Sequence, residues 1–86
     1  MNTAMDVTVE NYSITVTLHA PSNLFTANRS WVGLYVAMRQ MHKNYMDYKT
    51  VKTATDVVTF SGLKDGWYDL RYFSDSYDLA VGADGR

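Results

Sequence analysis

Two histidines, His19 and His42, are the first residues in this 86-residue chain that could move a proton. A hydrolytic triad needs a positioned nucleophile, a base and an orienting acid, and neither imidazole stands in a recognisable setting with a serine. The chain has no Cys, which removes thiol nucleophiles and thiolate zinc sites together. No catalytic residue is assigned, and the chain is not expected to be an enzyme. Asp65, Asp69, Asp75 and Asp78 crowd the late sequence, where loops of a β-sandwich can gather carboxylates around calcium. Lys64 and Arg71 are interleaved with them and the spacing fits no calcium motif. A solvated acidic rim is expected there, with no metal and no cofactor.

The basic counterpart is Arg39, His42, Lys43, Lys49 and Lys52, interrupted by Asp47. Phosphate or anionic lipid would use such a group, with Arg39, Lys43, Lys49 and Lys52 as its cations. Cations on an edge strand more commonly discourage unwanted pairing. Residues 38–48 are the stronger surface candidate, because three of the five Met and two of the seven Tyr fall within that stretch. Pliable thioethers and rigid aromatic rings are enriched at protein interfaces. Met38, Met41, His42, Tyr45, Met46 and Tyr48 are therefore the candidate partner-binding residues. Alternation alone does not say which of them faces out, since a one-residue slip exchanges the two faces of a strand.

The elements that would hold these residues repeat with period two. Ile14, Val16 and Leu18 alternate with Ser13, Thr15 and Thr17, the pattern of a strand with one wet face. Met5, Val7 and Val9 alternate likewise with Asp6, Thr8 and Glu10, and Asn11 supplies a turn between the two runs. Residues 31–37 are apolar on both faces and read as a central strand. Residues 45–51 read as an edge strand, and 56–61, 67–73 and about 77–81 as three more; 82–86 should fray. No segment has the length and amphipathicity of a helix. The reading is an all-β, immunoglobulin-like antiparallel β-sandwich of about seven strands, one domain over residues 1–86.

Composition agrees. Hydrophobic residues make up 47%, aromatic residues 14%, and the formal net charge is −1, so no overall field favours nucleic acid. The N-terminal residues lack a signal peptide's basic region and apolar core, and no run is long enough to cross a bilayer, so a cytoplasmic setting is expected. Tyr68, two residues before Leu70, has the spacing of a tyrosine corner, and Trp31 takes the place of a core tryptophan with Val16 or Leu18 across from it. The expected core is Val16, Leu18, Trp31, Leu34, Phe60, Tyr68 and Leu70.

The runs Ser30-Trp31-Val32-Gly33-Leu34-Tyr35, Phe60-Ser61-Gly62-Leu63 and Gly66-Trp67-Tyr68-Asp69-Leu70-Arg71-Tyr72-Phe73, with Tyr45 between and Leu79-Ala80 after, resemble the SKICH domain and its relatives. That family has an Asp-Trp-(Ile/Val)-Gly-(Ile/Leu)-(Phe/Tyr) strand, a Tyr-bearing strand, a Phe-x-x-Leu segment and a Gly-x-Tyr-x-(Phe/Leu)-x-Tyr strand. The resemblance covers roughly residues 6–81. It implies a β-sandwich used for protein binding and localisation, standing before coiled coils or beside an inositol phosphatase domain, without a catalytic role. Ser30 departs from the family's Asp, and 82–86 lack its small-x-Pro-Phe continuation. The functional expectation is a non-catalytic interaction or scaffold module in the N-terminal part of a longer protein, binding another protein or a second copy. The alternative is a phosphoinositide or other anionic-lipid targeting domain.

Overall fold

The computed structural model describes residues 5–21, 23, 25–38 and 41–85, with side chains through residue 77. The strands in chain order are β1 (Met5–Glu10), β2 (Ser13–Leu18), β3 (Trp31–Val36), β4 (Asp47–Thr50), β5 (Val57–Phe60), β6 (Tyr68–Asp75) and β7 (Asp78–Gly85). They form two antiparallel sheets, one ordered β1-β2-β5 and the other β4-β3-β6-β7. No α-helix occurs among the described residues, and no helix is long and apolar enough to cross a membrane.

β1 and β2 make the tightest hairpin, with Glu10 opposite Ser13 and only Asn11 and Tyr12 between them. Both turn residues have positive φ, 30° and 68°. A two-residue turn of that kind matches the right-handed twist of the flanking strands. The alternation read from β2 is realised directly: Ile14, Val16 and Leu18 are buried, while the Thr side chains between them face the other way. Burying one such aliphatic side chain is worth about 1.5–3 kcal/mol, so slipping β2 by one residue would forfeit three of these gains at once.

Residues of both sheets share one hydrophobic cluster. Met5, Ile14, Val16, Leu18 and Phe60 from the smaller sheet meet Val32, Leu34, Leu70 and Tyr72 from the larger, with Val51 and Ala20 beside them. Tyr68 packs against this cluster half-buried, and its hydroxyl donates to the Lys64 carbonyl at 2.6 Å. That bond closes the tyrosine corner expected from the spacing, and it ties the start of β6 to the connection before it.

Two expectations are corrected here. Trp31 is not in the shared core: β3 turns Val32 and Leu34 inward, and Trp31, one residue out of phase, lies on the outer face of the four-stranded sheet. Val16 and Leu18 are therefore not its neighbours. The tail does not fray from residue 82; β7 continues to Gly85, which lies opposite Tyr68, and the β6 ladder supplies the backbone bonds that a polar, glycine-containing segment would otherwise lack. Phe25, in the connection between β2 and β3, packs partly buried against the cluster.

Candidate functional site

On a strand whose two faces are both apolar, something must cover the outer one. Here it is a second aromatic layer. The outward positions of β3 are Trp31, Gly33 and Tyr35, flanked by Arg71 and Phe73 of β6 and Tyr48 of β4. Tyr35 and Phe73 are fully buried although they lie outside the main core. Trp31 stacks on Phe73 with centroids 4.1 Å apart and planes 14° from parallel. Tyr45, Tyr48 and Tyr77 then meet Trp31 edge-on at 5.5, 6.1 and 5.9 Å. Such edge-to-face pairs add ~0.5–1.5 kcal/mol each beyond area burial, because the positive ring edge meets the negative ring face. The indole is also pinned by its own donor, Nε1 to the Ser76 carbonyl at 2.6 Å.

Gly33 makes room for this layer. A Cβ on it would lie 2.7 Å from a Tyr35 ring carbon and 2.8 Å from a Trp31 ring carbon, so its missing side chain lets both rings fold along the strand toward each other. Beneath them, the Arg71 guanidinium lies 4.1 Å from the Tyr35 ring centroid, a cation–π contact in a side chain that is nearly buried. Its Nη1 is 3.1 Å from His42 Nδ1, and Nη2 is 3.5 Å from Asp69. A guanidinium only donates, so Nδ1 accepts and the imidazole proton sits on Nε2. The Tyr35 hydroxyl donates to the His42 carbonyl. Burial pushes the Tyr35 phenol up to about 12, against the opposing pull of Arg71. Burial also raises Tyr72, against its hydrogen bond to Ser30.

These contacts sort the expected binding residues. Met38, Met41, Met46 and Tyr48 are exposed, Met38 at 89%. Tyr45 is partly open at 37% while its ring rests on Trp31. His42 differs from them: its ring packs on Phe73 and its carbonyl and Nδ1 are both engaged, so it anchors the β3–β4 connection to the sheet. Of the expected cations, Arg39 lies outside the described residues. Lys43 and Lys52 are on opposite sides of β4 in the chain, and Lys49 turns its Nζ toward the Phe60 ring, 6.0 Å from the centroid. The late aspartates are separated too. Asp75 accepts from Arg29 at 2.6 Å, Asp69 accepts from the Met38 N–H at 3.0 Å, and Asp65 lines an end cleft. Among the described residues, no group of acidic or imidazole side chains is placed to hold a metal ion.

Sequence reasoning missed three features. Ser30 is fully buried; its Oγ donates to the Ser74 carbonyl at 2.8 Å and accepts from the Thr26 N–H at 2.9 Å and the Tyr72 hydroxyl at 3.2 Å. The second is the end cleft, about 510 Å³, where Val9, Tyr12, Leu63 and Trp67 are brought together by the β1–β2 hairpin and the β5–β6 connection. The third is the open side. The edge strands β4 and β5 bound a cleft of about 650 Å³ lined by Tyr48, Lys49, Thr50, Val57, Val58 and Thr59. Each edge strand is entered from an aspartate that accepts from the next N–H: Asp47 from Tyr48 at 2.8 Å, Asp56 from Val57 at 2.9 Å. Only the strong local preference of Asp for capping a neighbouring N–H could have hinted at that.

No family model, curated protein or solved structure matches the chain.

Proposed function

We propose that the chain is a non-catalytic protein-interaction module, an immunoglobulin-like sandwich of the SKICH-like kind, acting inside the cell within a longer scaffold protein. The strand orders support that reading: labelled A, B, C, C′, E, F and G in chain order, the strands fall into one sheet A-B-E and another C′-C-F-G. Tyr68 supplies the corner hydrogen bond that goes with it. The two histidines have different partners, His19 bonding Asp6 at 2.9 Å and His42 bonding Arg71 at 3.1 Å, and the binding reading gives neither a chemical step.

The observation that carries the binding reading is the layered outer face. Its lower rings, Tyr35 and Phe73, are buried and hold the upper ones, while Tyr45, Tyr48 and Tyr77 reach solvent. Met41 and Met46 belong to the same β3–β4 connection and are also exposed. Rigid aromatic side chains bring large contact area at little entropy cost, and thioethers fill what remains. The lipid alternative has less support, because Lys49 turns its Nζ toward the Phe60 ring.

The test is affinity purification on the immobilised chain, followed by titration with the purified partner. Met41→Glu with Met46→Glu should weaken binding by about tenfold or more while the melting temperature stays near that of the parent. The alternative gains if the chain instead floats with vesicles containing anionic lipid, with binding that falls steeply in salt and is lost when Lys43, Lys49 and Lys52 become Glu.

A further inference from the structure

We propose that β4 pairs with β4 of a second copy, antiparallel and centred on Tyr48, joining the two four-stranded sheets into one. The inference rests on the protein-interaction reading and names the partner of that edge.

The main-chain groups needed are present. The Val51 N–H donates to the Ser30 carbonyl at 3.1 Å, which fixes the ladder phase between β3 and β4. In an antiparallel ladder alternate residues bond inward, so Lys49 faces β3 with its main chain, while Tyr48 and Thr50 direct theirs to the open edge. The Tyr48 N–H agrees with that phase, because it is taken by the Asp47 carboxylate and not by β3.

The side chains select the occupant. Asp47 and Lys49 are two residues apart and so share the inner face of the strand, while Tyr48 lies on the outer face against Trp31. A two-fold axis perpendicular to the sheet through Tyr48 keeps each face on its own side. It sets Asp47 opposite Lys49 of the second copy, and Lys49 opposite Asp47, so that two unlike-charge pairs form together. On the other face Tyr48 meets Tyr48, continuing the aromatic surface across the junction. The short sequence Asp47-Tyr48-Lys49 is thus self-complementary in charge when read antiparallel. Unlike charges directly opposite stabilise a strand pair and like charges oppose it. In the free chain the Asp47 carboxylate caps the edge; in the pair it is released to Lys49 of the second copy as Tyr48 bonds across.

The test is sedimentation equilibrium of the parent chain and three variants, each checked by a thermal melt. The parent should show concentration-dependent dimerisation. Asp47→Lys sets Lys against Lys and Lys49→Asp sets Asp against Asp, and each should weaken the dimer about tenfold or more, as two attractions become two repulsions. Mixing those two variants should restore association as a heterodimer, and the double variant carrying both changes should restore the homodimer. A parent that stays monomeric, single swaps without effect, or a folded double variant that does not recover would each overturn the proposal. Capture of an unrelated protein on β4 by a monomeric chain would overturn it too. If β4 pairing fails but Met41→Glu with Met46→Glu still abolishes binding of a purified partner, the interaction reading stands without it.

Discussion

Adding one methyl group at Gly33 tests the outer layer directly. Carbon atoms pack at about 3.5–4.0 Å, so a Cβ lying 2.7 Å from Tyr35 and 2.8 Å from Trp31 requires each ring to retreat by ~1 Å. Neither ring is free to do so cheaply. Tyr35 is held by its bond to the His42 carbonyl and by the Arg71 guanidinium on its face; Trp31 is held by the Phe73 stack and the Ser76 carbonyl. Forcing a methylene into a packed site costs roughly 1–3 kcal/mol. Replacing Gly by Ala in a strand returns at most ~1 kcal/mol by restricting the unfolded chain. Gly33→Ala should therefore destabilise the protein by about 1–2 kcal/mol, a fall of roughly 5–15 °C in Tm for a domain of this size. Urea unfolding gives the energy, and near-UV circular dichroism reports the ring packing. A variant as stable as the parent with an unchanged near-UV spectrum would refute the account of how the rings are held.

Three further outcomes follow from contacts already described. Ser30→Ala takes the Ser30 hydroxyl from the Thr26 N–H and the Ser74 carbonyl, removes one hydrogen bond of the Tyr72 hydroxyl, and should cost about 2–4 kcal/mol by urea unfolding, given ~1–3 kcal/mol for each buried group that loses its bond. Tyr68→Phe removes the bond to the Lys64 carbonyl and should cost about 1 kcal/mol with an unchanged far-UV spectrum; a neutral result would mean that the hydroxyl gains nothing over water. Because burial raises the Tyr35 phenol from 10.0 to about 12, the unfolded chain releases that proton first, so stability should be intact below pH 10 and decline as pH rises from 10 to 12. Denaturant melts across that window, compared with Tyr35→Phe, should show a smaller decline in the variant.

What sequence could decide here was whatever had one wet face or a local partner. In β2 the Thr side chains mark the solvent side, so the burial of Ile14, Val16 and Leu18 is legible without the fold. The corner of Tyr68 is legible because its acceptor, Lys64, is only four residues away. The exposure of Met38, Met41, Met46 and Tyr48 accords with a segment expected at the surface, and alternation carried no information about the ring of His42.

β3 shows where that kind of reasoning stops. Trp31, Val32, Leu34 and Tyr35 are all large and apolar, so period two is satisfied by either face, and sequence alone favours the core for the largest ring. Pairing with β6 decides the matter: Leu34 lies opposite Leu70 and Val32 opposite Tyr72, both facing the smaller sheet, which leaves Trp31 and Tyr35 outside. The role of Ser30 was equally out of reach, since Ser74 and Tyr72 lie more than forty positions away. β7 is the remaining case, because Gly82, Ala83, Asp84 and Gly85 have no hydrophobic alternation to read and extend only because the neighbouring edge of β6 offers backbone partners. Local sequence determines which residues prefer a strand and which side of it prefers water. Where both sides are apolar, or neither is, the choice belongs to the strand alongside.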